Sequence, residues 1–156
     1  MPNDVNAHPH RQGRVTLVHN GIIENYRALR ERLEREGYHF LTQTDTEIAA
    51  ALLDHHMKLH ESPVAAIHAA TAEMEGAYGF CMLLEGEPDT VYGIRRGSPL
   101  IAAKDETGSY VASDVPAIIE YTRQYYLLEE EEVVVAHYGE LRFYAPDGTP
   151  IEKEAK

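Results

Sequence analysis

The sequence predicts an α+β fold, in which a strand leads into helices and a series of short strands follows. Two observations support this class. Between residues 24 and 74 the hydrophobic residues recur at helical spacing, whereas beyond Gly76 they alternate in short runs separated by turn residues. Strands that return through short turns pair antiparallel, so this order favours an α+β arrangement over a doubly wound parallel sheet.

The first predicted elements are a strand and a helix. Residues 14–18 alternate β-branched and apolar side chains in the way that fits a pleated strand. Asn20-Gly21 follows closely and is typical of a tight turn, because both residue types tolerate positive φ angles. Residues 24–36 then place apolar side chains on one face of a helix and charged pairs on the other. Gly37 stands where a left-handed residue ends such a helix.

A short strand and two further helices are predicted next. Residues 38–41 have the composition of a short strand. Thr44-Asp45-Thr46-Glu47 has the spacing of a capping box, which begins a helix that continues to about His60. Ser62-Pro63 supplies an N-cap followed by proline at the first helical position, and this third helix is expected to close at Gly76.

The remainder of the chain is predicted to be mostly strands. The alternating runs are residues 78–84, 90–95, 100–104 and 109–112, and we expect them to form an antiparallel meander. Ser113 and Pro116 are expected to start a short helix. A final hairpin is predicted from residues 133–137 and 141–144.

Composition restricts the classes of function. The chain has 156 residues, enough for one domain. With 26 acidic and 14 basic residues its formal net charge is −12, which argues against nucleic-acid binding, since phosphate contacts need clustered Lys and Arg. No apolar run approaches the ~20 residues of a membrane span, and the first residues do not form a signal peptide, so we expect a cytoplasmic protein without membrane contact. The single cysteine, Cys81, agrees with that reducing compartment.

Two features are candidates for chemistry. At Asn20-Gly21 a side-chain amide stands beside a backbone N–H that no Cβ obstructs, and such a pair can form an oxyanion hole. The alternative is a simple turn, since this dipeptide is common in turns. Asp45, at the start of a predicted helix, has a carboxylate that the helix dipole keeps ionised and that can bind a substrate ammonium. The alternative is that Asp45 or Thr44 only caps the helix.

Three other features are assigned to structure. His55, His56 and His60 are expected on a helix surface, because a zinc site needs at least three protein ligands, and we predict no metal site. Cys81 lies in an apolar strand and is expected to be a core residue with a poorly nucleophilic thiol. Residues 129–132, four consecutive glutamates, are expected to form a solvated charge run.

Six motifs occur in an order that resembles a known family. They are Asn6-Ala7-His8-Pro9-His10, Val18-His19-Asn20-Gly21-Ile22-Ile23-Glu24-Asn25-Tyr26, Thr44-Asp45-Thr46-Glu47, Gly76-Ala77-Tyr78-Gly79, Arg96-Gly97-Ser98-Pro99-Leu100 and Ala112-Ser113-Asp114. Together they resemble the glutaminase domain of the glutamine–fructose-6-phosphate aminotransferases, which are class II glutamine amidotransferases. The resemblance covers nearly all of residues 1–156. Other class II amidotransferases share the His-Asn-Gly and Asp-Thr-Glu motifs.

The resemblance implies a fold, an activity and site residues. The fold is the four-layer αββα sandwich of the N-terminal nucleophile hydrolases. In the family, an N-terminal cysteine attacks the side-chain amide of glutamine, and a separate sugar-isomerase domain uses the released ammonia to make glucosamine 6-phosphate from fructose 6-phosphate. The resemblance assigns the Asn20 side chain and the Gly21 backbone N–H to the oxyanion hole, and Asp45 to the α-ammonium of glutamine. It implies no cofactor.

The chain departs from the family pattern in what it lacks. The nucleophilic cysteine, the family's Arg-Trp-Ala-Thr-His-Gly segment and the sugar-isomerase domain are absent from the 156 residues. Because residues 2–13 form no predicted element, we expect a partial glutaminase domain, incomplete at the N-terminus, with an open sheet edge. We therefore expect the chain alone to be inactive, and to be less stable than an intact domain or to form homo-oligomers.

Two alternatives stay open at this stage. One is a non-catalytic glutamine-binding or regulatory domain with a degenerate glutaminase fold. The other is the glutaminase domain of another class II amidotransferase.

Overall fold

The described residues form one layer of helices and two antiparallel sheets. The computed structural model describes residues 10–42, 44–98, 100–105, 108–112, 125–137 and 140–153. The helices are α1 (Tyr26–Arg35), α2 (Asp45–Leu59) and α3 (Pro63–Ala72). The strands are β1 (His10–Gln12), β2 (Val15–Ile23), β3 (Gly76–Leu84), β4 (Glu87–Arg96), β5 (Ile101–Asp105), β6 (Gly108–Ala112), β7 (Tyr126–Leu127), β8 (Val133–His137), β9 (Glu140–Tyr144) and β10 (Pro150–Ile151).

The strands divide between a large and a small sheet. The large sheet has the order β1-β2-β3-β4-β8-β9-β10, and the small sheet has the order β6-β5-β7. The predicted hairpins β3–β4 and β5–β6 are confirmed, but the prediction of one continuous meander is wrong, because the chain leaves the large sheet after β4 and returns to it at β8. The small sheet instead packs on the large one. A Cβ added at Gly93 of β4 would lie 3.2 Å from Val111 Cγ1 of β6.

At strand β8 the large sheet is buried on both faces. Val133 belongs to the core between the sheet and the helices, whereas its neighbour Val134 belongs to the core between the two sheets. Successive side chains of a strand point to opposite faces, so one strand serves both cores. The predicted α+β sandwich is confirmed, with helices, large sheet and small sheet as its layers among the described residues. The short helix predicted from Ser113 lies outside them.

The helix boundaries follow local signals. Ser62 Oγ accepts a hydrogen bond from the Ala65 N–H, and Pro63 is the first residue of α3, as predicted. Gly37 follows the last residues of α1 with a φ of +100°. α3 ends at Ala72 rather than at Gly76, which is instead the first residue of β3.

Two predicted elements are wrong. Residues 38–41 form no strand; the segment is held by side chains, with the Tyr38 hydroxyl donating to Asp54 at 2.6 Å and the Leu41 N–H donating to Glu47 at 3.0 Å. Asn20-Gly21 forms no turn, because β2 continues through both residues to Ile23 and pairs with β3 along its whole length.

Helix α2 lies along β2 and is attached to it at two points. Near its N-terminus, Asp45 accepts a hydrogen bond from the Ile23 N–H at 2.9 Å. Nine residues further along, the buried carboxylate of Asp54 accepts one from the Arg14 N–H, also at 2.9 Å. The two contacts fix the register of α2 against both ends of β2. No helix among the described residues has the length and apolar character needed to cross a bilayer.

Candidate active site at the end of strand β2

The sequence-predicted site residues fall on two elements that meet at the end of β2. Gly21 is the third residue from the end of β2, and Asp45 is the first residue of α2. The hydrogen bond from the Ile23 N–H to Asp45 Oδ2 places the carboxylate beside the strand two residues beyond Gly21. Asn20 precedes Gly21 in the strand and is paired with Gly79 of β3. The position of its side chain lies outside what the structure describes.

Gly21 lies in close contact with the backbone of β3. Its φ is +116°, and a Cβ at this position would lie 2.1 Å from the Ala77 carbonyl oxygen and 2.8 Å from Tyr78 Cα. Gly76, on the partner strand, has a φ of +120°, and a Cβ there would lie 2.2 Å from the Ile22 carbonyl oxygen. Both glycines therefore serve a close approach of two strands rather than a turn.

The start of α2 differs from the predicted capping box. Thr44 occupies the N-cap position, but its side chain makes no capping hydrogen bond. Glu47, at the third helical position, turns its carboxylate to the preceding loop, where it accepts hydrogen bonds from the N–H groups of Leu41 and Thr42 and from Gln12 Nε2 at 2.8–3.0 Å. The predicted start of α2 is confirmed. In place of the hydrogen bonds of a capping box, Glu47 connects α2 to the loop that precedes it.

Glu47 is charged although its side chain is buried. Burial alone raises the pKa of a carboxyl group, but the backbone N–H groups of Leu41 and Thr42, the Thr42 hydroxyl and the Gln12 amide all stabilise the ionised form. Together they hold the pKa of Glu47 below its ordinary value. The loop that delivers the chain to Asp45 therefore depends on an ionised carboxylate.

The prediction that residues 129–132 form a solvated charge run is only partly right, because Glu129 and Glu130 are exposed but Glu132 is buried and three of the four have charged partners. Glu130 pairs with Arg95 at 3.1 Å and accepts the Gly97 N–H at 2.9 Å. Glu131 pairs with Arg96. Glu132 is buried and accepts a hydrogen bond from Lys153 Nζ at 2.7 Å. These roles are not predictable from four adjacent glutamates, because the arginines that bind them come from a distant part of the sequence.

The other candidates occupy structural positions. His56 Nε2 lies 2.5 Å from a carboxylate oxygen of Glu73, the residue that caps the C-terminus of α3. Within the described ranges, no three His, Cys, Asp or Glu side chains are arranged to hold a metal ion. Burial raises the pKa of the Cys81 thiol to about 11, so the nucleophilic thiolate is scarce near neutral pH.

Comparison with known proteins places the chain in a family. A family model described as the glutamine amidotransferase domain matches residues 5–120. A glutamine–fructose-6-phosphate aminotransferase (isomerizing) from Clostridium acetobutylicum is 41% identical over 155 residues, which cover 98% of this chain and 25% of that protein. The corresponding enzyme from Idiomarina loihiensis is 41% identical over 152 residues, which cover 97% of this chain and 25% of that protein.

A solved structure shows the same fold. The glutamine phosphoribosylpyrophosphate amidotransferase from B. subtilis, complexed with ADP and GMP, superposes with a TM-score of 0.71 at 22% identity, over 87% of this chain and 30% of that one. The chain belongs to the glutamine amidotransferase family. Its resemblance to the glutaminase domain of the glutamine–fructose-6-phosphate aminotransferases is confirmed, and it spans about a quarter of the length of those relatives.

We expect Gly21→Ala to destabilise the chain more than the matched change Gly86→Ala. Gly86 also has a positive φ, +91°, but nothing lies within 4 Å of the Cβ that would be added there. Backbone strain costs about 1–2 kcal/mol at either position, and the collision with Ala77 and Tyr78 adds about 1–3 kcal/mol at Gly21. Urea denaturation of both variants measures the difference, and equal losses would contradict the close approach.

We also expect Glu47 to make stability depend on pH in the acidic range. Since its folded pKa lies below the unfolded value of about 4.3, its contribution is present above that value and is lost as the pH falls through the folded pKa. Glu47→Gln should lower the free energy of unfolding at pH 7 and flatten its fall below pH ~4.5. The exposed Glu34, whose carboxylate lies 3.9 Å from Arg30, is the control: Glu34→Gln should change the free energy of unfolding at pH 7 much less than Glu47→Gln, because a surface ion pair contributes little.

Proposed function

We propose that this chain is the glutamine-binding and oxyanion-stabilising part of a glutaminase domain. The observation that carries the proposal is the hydrogen bond between the Ile23 N–H and the Asp45 carboxylate, at 2.9 Å. It brings a carboxylate, at the N-terminus of α2, next to the strand that holds Asn20 and Gly21. These are the residues to which the family resemblance assigns the ammonium contact and the oxyanion hole.

The geometry of a strand supports the joint use of Gly21 and Asp45. Backbone N–H groups two residues apart point to the same edge of a strand. The Ile23 N–H donates to Asp45, and we propose that the Gly21 N–H, two residues earlier in β2, faces the same edge. Two residues of a strand span about 6.6 Å, which suits an extended glutamine whose side-chain carbonyl lies at Gly21 and whose α-ammonium lies at Asp45.

The proposed chemistry is acyl transfer from an amide. When a nucleophile adds to the side-chain carbonyl carbon of glutamine, the carbonyl electron pair moves to oxygen and a negative charge develops there. The Gly21 N–H and the Asn20 amide donate hydrogen bonds to that oxygen, and such fixed donors stabilise the transition state more than the substrate. The electron pair on oxygen then re-forms the carbonyl, and the C–N bond breaks. The nitrogen takes the proton that the nucleophile gave up and leaves as ammonia, and water later releases the acyl group from the nucleophile as glutamate.

The role of Asp45 is different in kind. The α-ammonium of glutamine is charged in the substrate and in the transition state alike, so its contact with Asp45 contributes equally to both. The position at a helix N-terminus, where the helix dipole favours negative charge, suits a carboxylate that must remain charged.

The proposal extends to the larger enzyme. In an intact enzyme of this kind, located in the cytoplasm, the ammonia would be used by a sugar-isomerase domain to aminate fructose 6-phosphate, yielding glucosamine 6-phosphate for amino-sugar biosynthesis. The relatives at about 41% identity support it through their name, glutamine–fructose-6-phosphate aminotransferase. No cofactor is required by this chemistry.

We expect substitutions at Asn20 and Asp45 to separate catalysis from binding. In an intact enzyme that carries this domain, Asn20→Ala should lower kcat for glutamine hydrolysis by about 10²–10³, the usual effect of removing one oxyanion donor. Asp45→Asn should chiefly raise the KM for glutamine. Steady-state ammonia release measures both. Unchanged kcat in the first variant, or an unchanged KM in the second, would remove that residue from its proposed role.

We expect Cys81 to be unreactive and the 156-residue chain alone to release no ammonia from glutamine. A rise in pKa from 9.0 to about 11 reduces the thiolate fraction about 100-fold near pH 8, so alkylation of folded protein by iodoacetamide should be slower by about that factor than in urea. Mass spectrometry measures the modification. Ammonia release that Cys81→Ser abolishes would show instead that this thiol is a nucleophile.

A further inference from the structure

Arg96 lies two strands away from Gly21, at the same level of the large sheet. Across the large sheet Gly21 is paired with Tyr78, and Tyr78 is paired in turn with Arg96. The guanidinium carbon of Arg96 lies 5.1 Å from the centre of the Tyr78 ring. Arg96 also donates hydrogen bonds to the carbonyl oxygens of Met74, at 2.6 Å, and Thr71, at 3.1 Å. One side chain therefore connects the end of α3, the entry to β3 and the ring of Tyr78.

The segment that Arg96 holds is the one on which Gly21 packs. Ala77 and Tyr78 lie between two glycines with positive φ: Gly21 on one side, and Gly97 on the other, where a Cβ would lie 2.7 Å from Ala77 Cβ. Since the gap to Gly21 leaves no room for even a methyl group, Ala77 and Tyr78 cannot move toward β2 without displacing the Gly21 backbone.

Glu131 holds Arg96 in this place. Its carboxylate accepts a hydrogen bond from Arg96 Nε at 2.9 Å and a second one from the same guanidinium. Glu131 itself has a φ of +62°, an uncommon conformation for a residue with a side chain. Its backbone is fixed on both sides, because its N–H donates to the Arg95 carbonyl oxygen at 2.8 Å and His68 Nε2 lies 3.0 Å from its carbonyl oxygen.

We propose that Arg96, held by Glu131, is a positioning residue that sets the Gly21 N–H through the backbone of Ala77 and Tyr78. The inference rests on the proposed function, because it makes the oxyanion hole depend on a side chain that does not touch the substrate. Fixed donors are effective only while they point at the developing charge. An error of about 1 Å in such a position can cost about 100-fold in rate.

The first test uses the ¹⁵N-labelled chain. Arg96→Lys keeps the charge but loses the two-pronged contact with Glu131, and Glu131→Gln is a milder second variant if the first folds poorly. We expect the amide resonances of Gly21, Ala77 and Tyr78 to shift, and those of Leu17 and Met82, further along the same strands, to stay in place. Arg142→Lys is the control, because Arg142 is exposed and lies 3.9 Å from its partner.

The second test uses kinetics in an intact enzyme that carries this domain. Arg96→Lys and Glu131→Gln should lower kcat by about 10- to 100-fold with an unchanged KM for glutamine. A uniform change of resonances along β2 and β3, or a wild-type kcat in both variants, would overturn the positioning role. That result differs from failure of the proposed function, which would appear as a wild-type kcat in Asn20→Ala.

Discussion

The close approach of β2 and β3 at their shared end is the constraint on which the rest of the site depends. Gly21 and Gly76 each have a positive φ, and at each position the backbone of the opposing strand lies too close to admit a Cβ. The strands can therefore pair without interruption as far as Ile23 and Gly76. This continuity carries β2 far enough to meet α2 at Ile23, and so places Gly21 and Asp45 in one region.

Three carboxylates, of which Asp54 and Glu47 are buried and Glu73 is half-buried, then hold the helices against this end of the sheet. Asp54 accepts hydrogen bonds from the Arg14 N–H and the Tyr38 hydroxyl, Glu47 accepts them from its entry loop, and Glu73 accepts them from Arg32 and His56. Each of these charges is paired with several donors, which offsets the cost of removing it from water. The contacts are directional, so they fix the orientation of α2 in a way that apolar packing alone does not.

The arginines at the other side of β3 have a comparable function. Arg95 and Arg96 follow each other at the end of β4 and bind Glu130 and Glu131, so the segment after β7 is tied to the same end of the large sheet. Adjacent residues of a strand point to opposite faces. Arg96 therefore points toward α3 and contacts Tyr78. Arg95 points to the other face and donates a hydrogen bond to the Leu128 carbonyl oxygen, in the segment that leads into β8.

The sequence by itself determined the elements that rest on local signals, and it also determined the family. The starts of α2 and α3, the left-handed end of α1 at Gly37 and the hairpins β3–β4 and β5–β6 were predictable, because capping, turn chemistry and periodicity act within a few residues. The choice of Gly21 and Asp45 as candidates also came from sequence, through residue chemistry and motif order.

Only the tertiary structure decided how the elements combine. Gly21 was expected in a turn and lies in a strand, because the Ala77 backbone that it closely approaches is 56 positions away and no local pattern reveals that contact. Glu47 was expected to complete a capping box, but it accepts hydrogen bonds from Leu41 and Thr42 instead. Two of the glutamates that were expected to be solvated, Glu130 and Glu131, pair with Arg95 and Arg96. A hydrogen bond between distant segments depends on where the whole chain places its donor and acceptor, and local propensity contains no information about that distance.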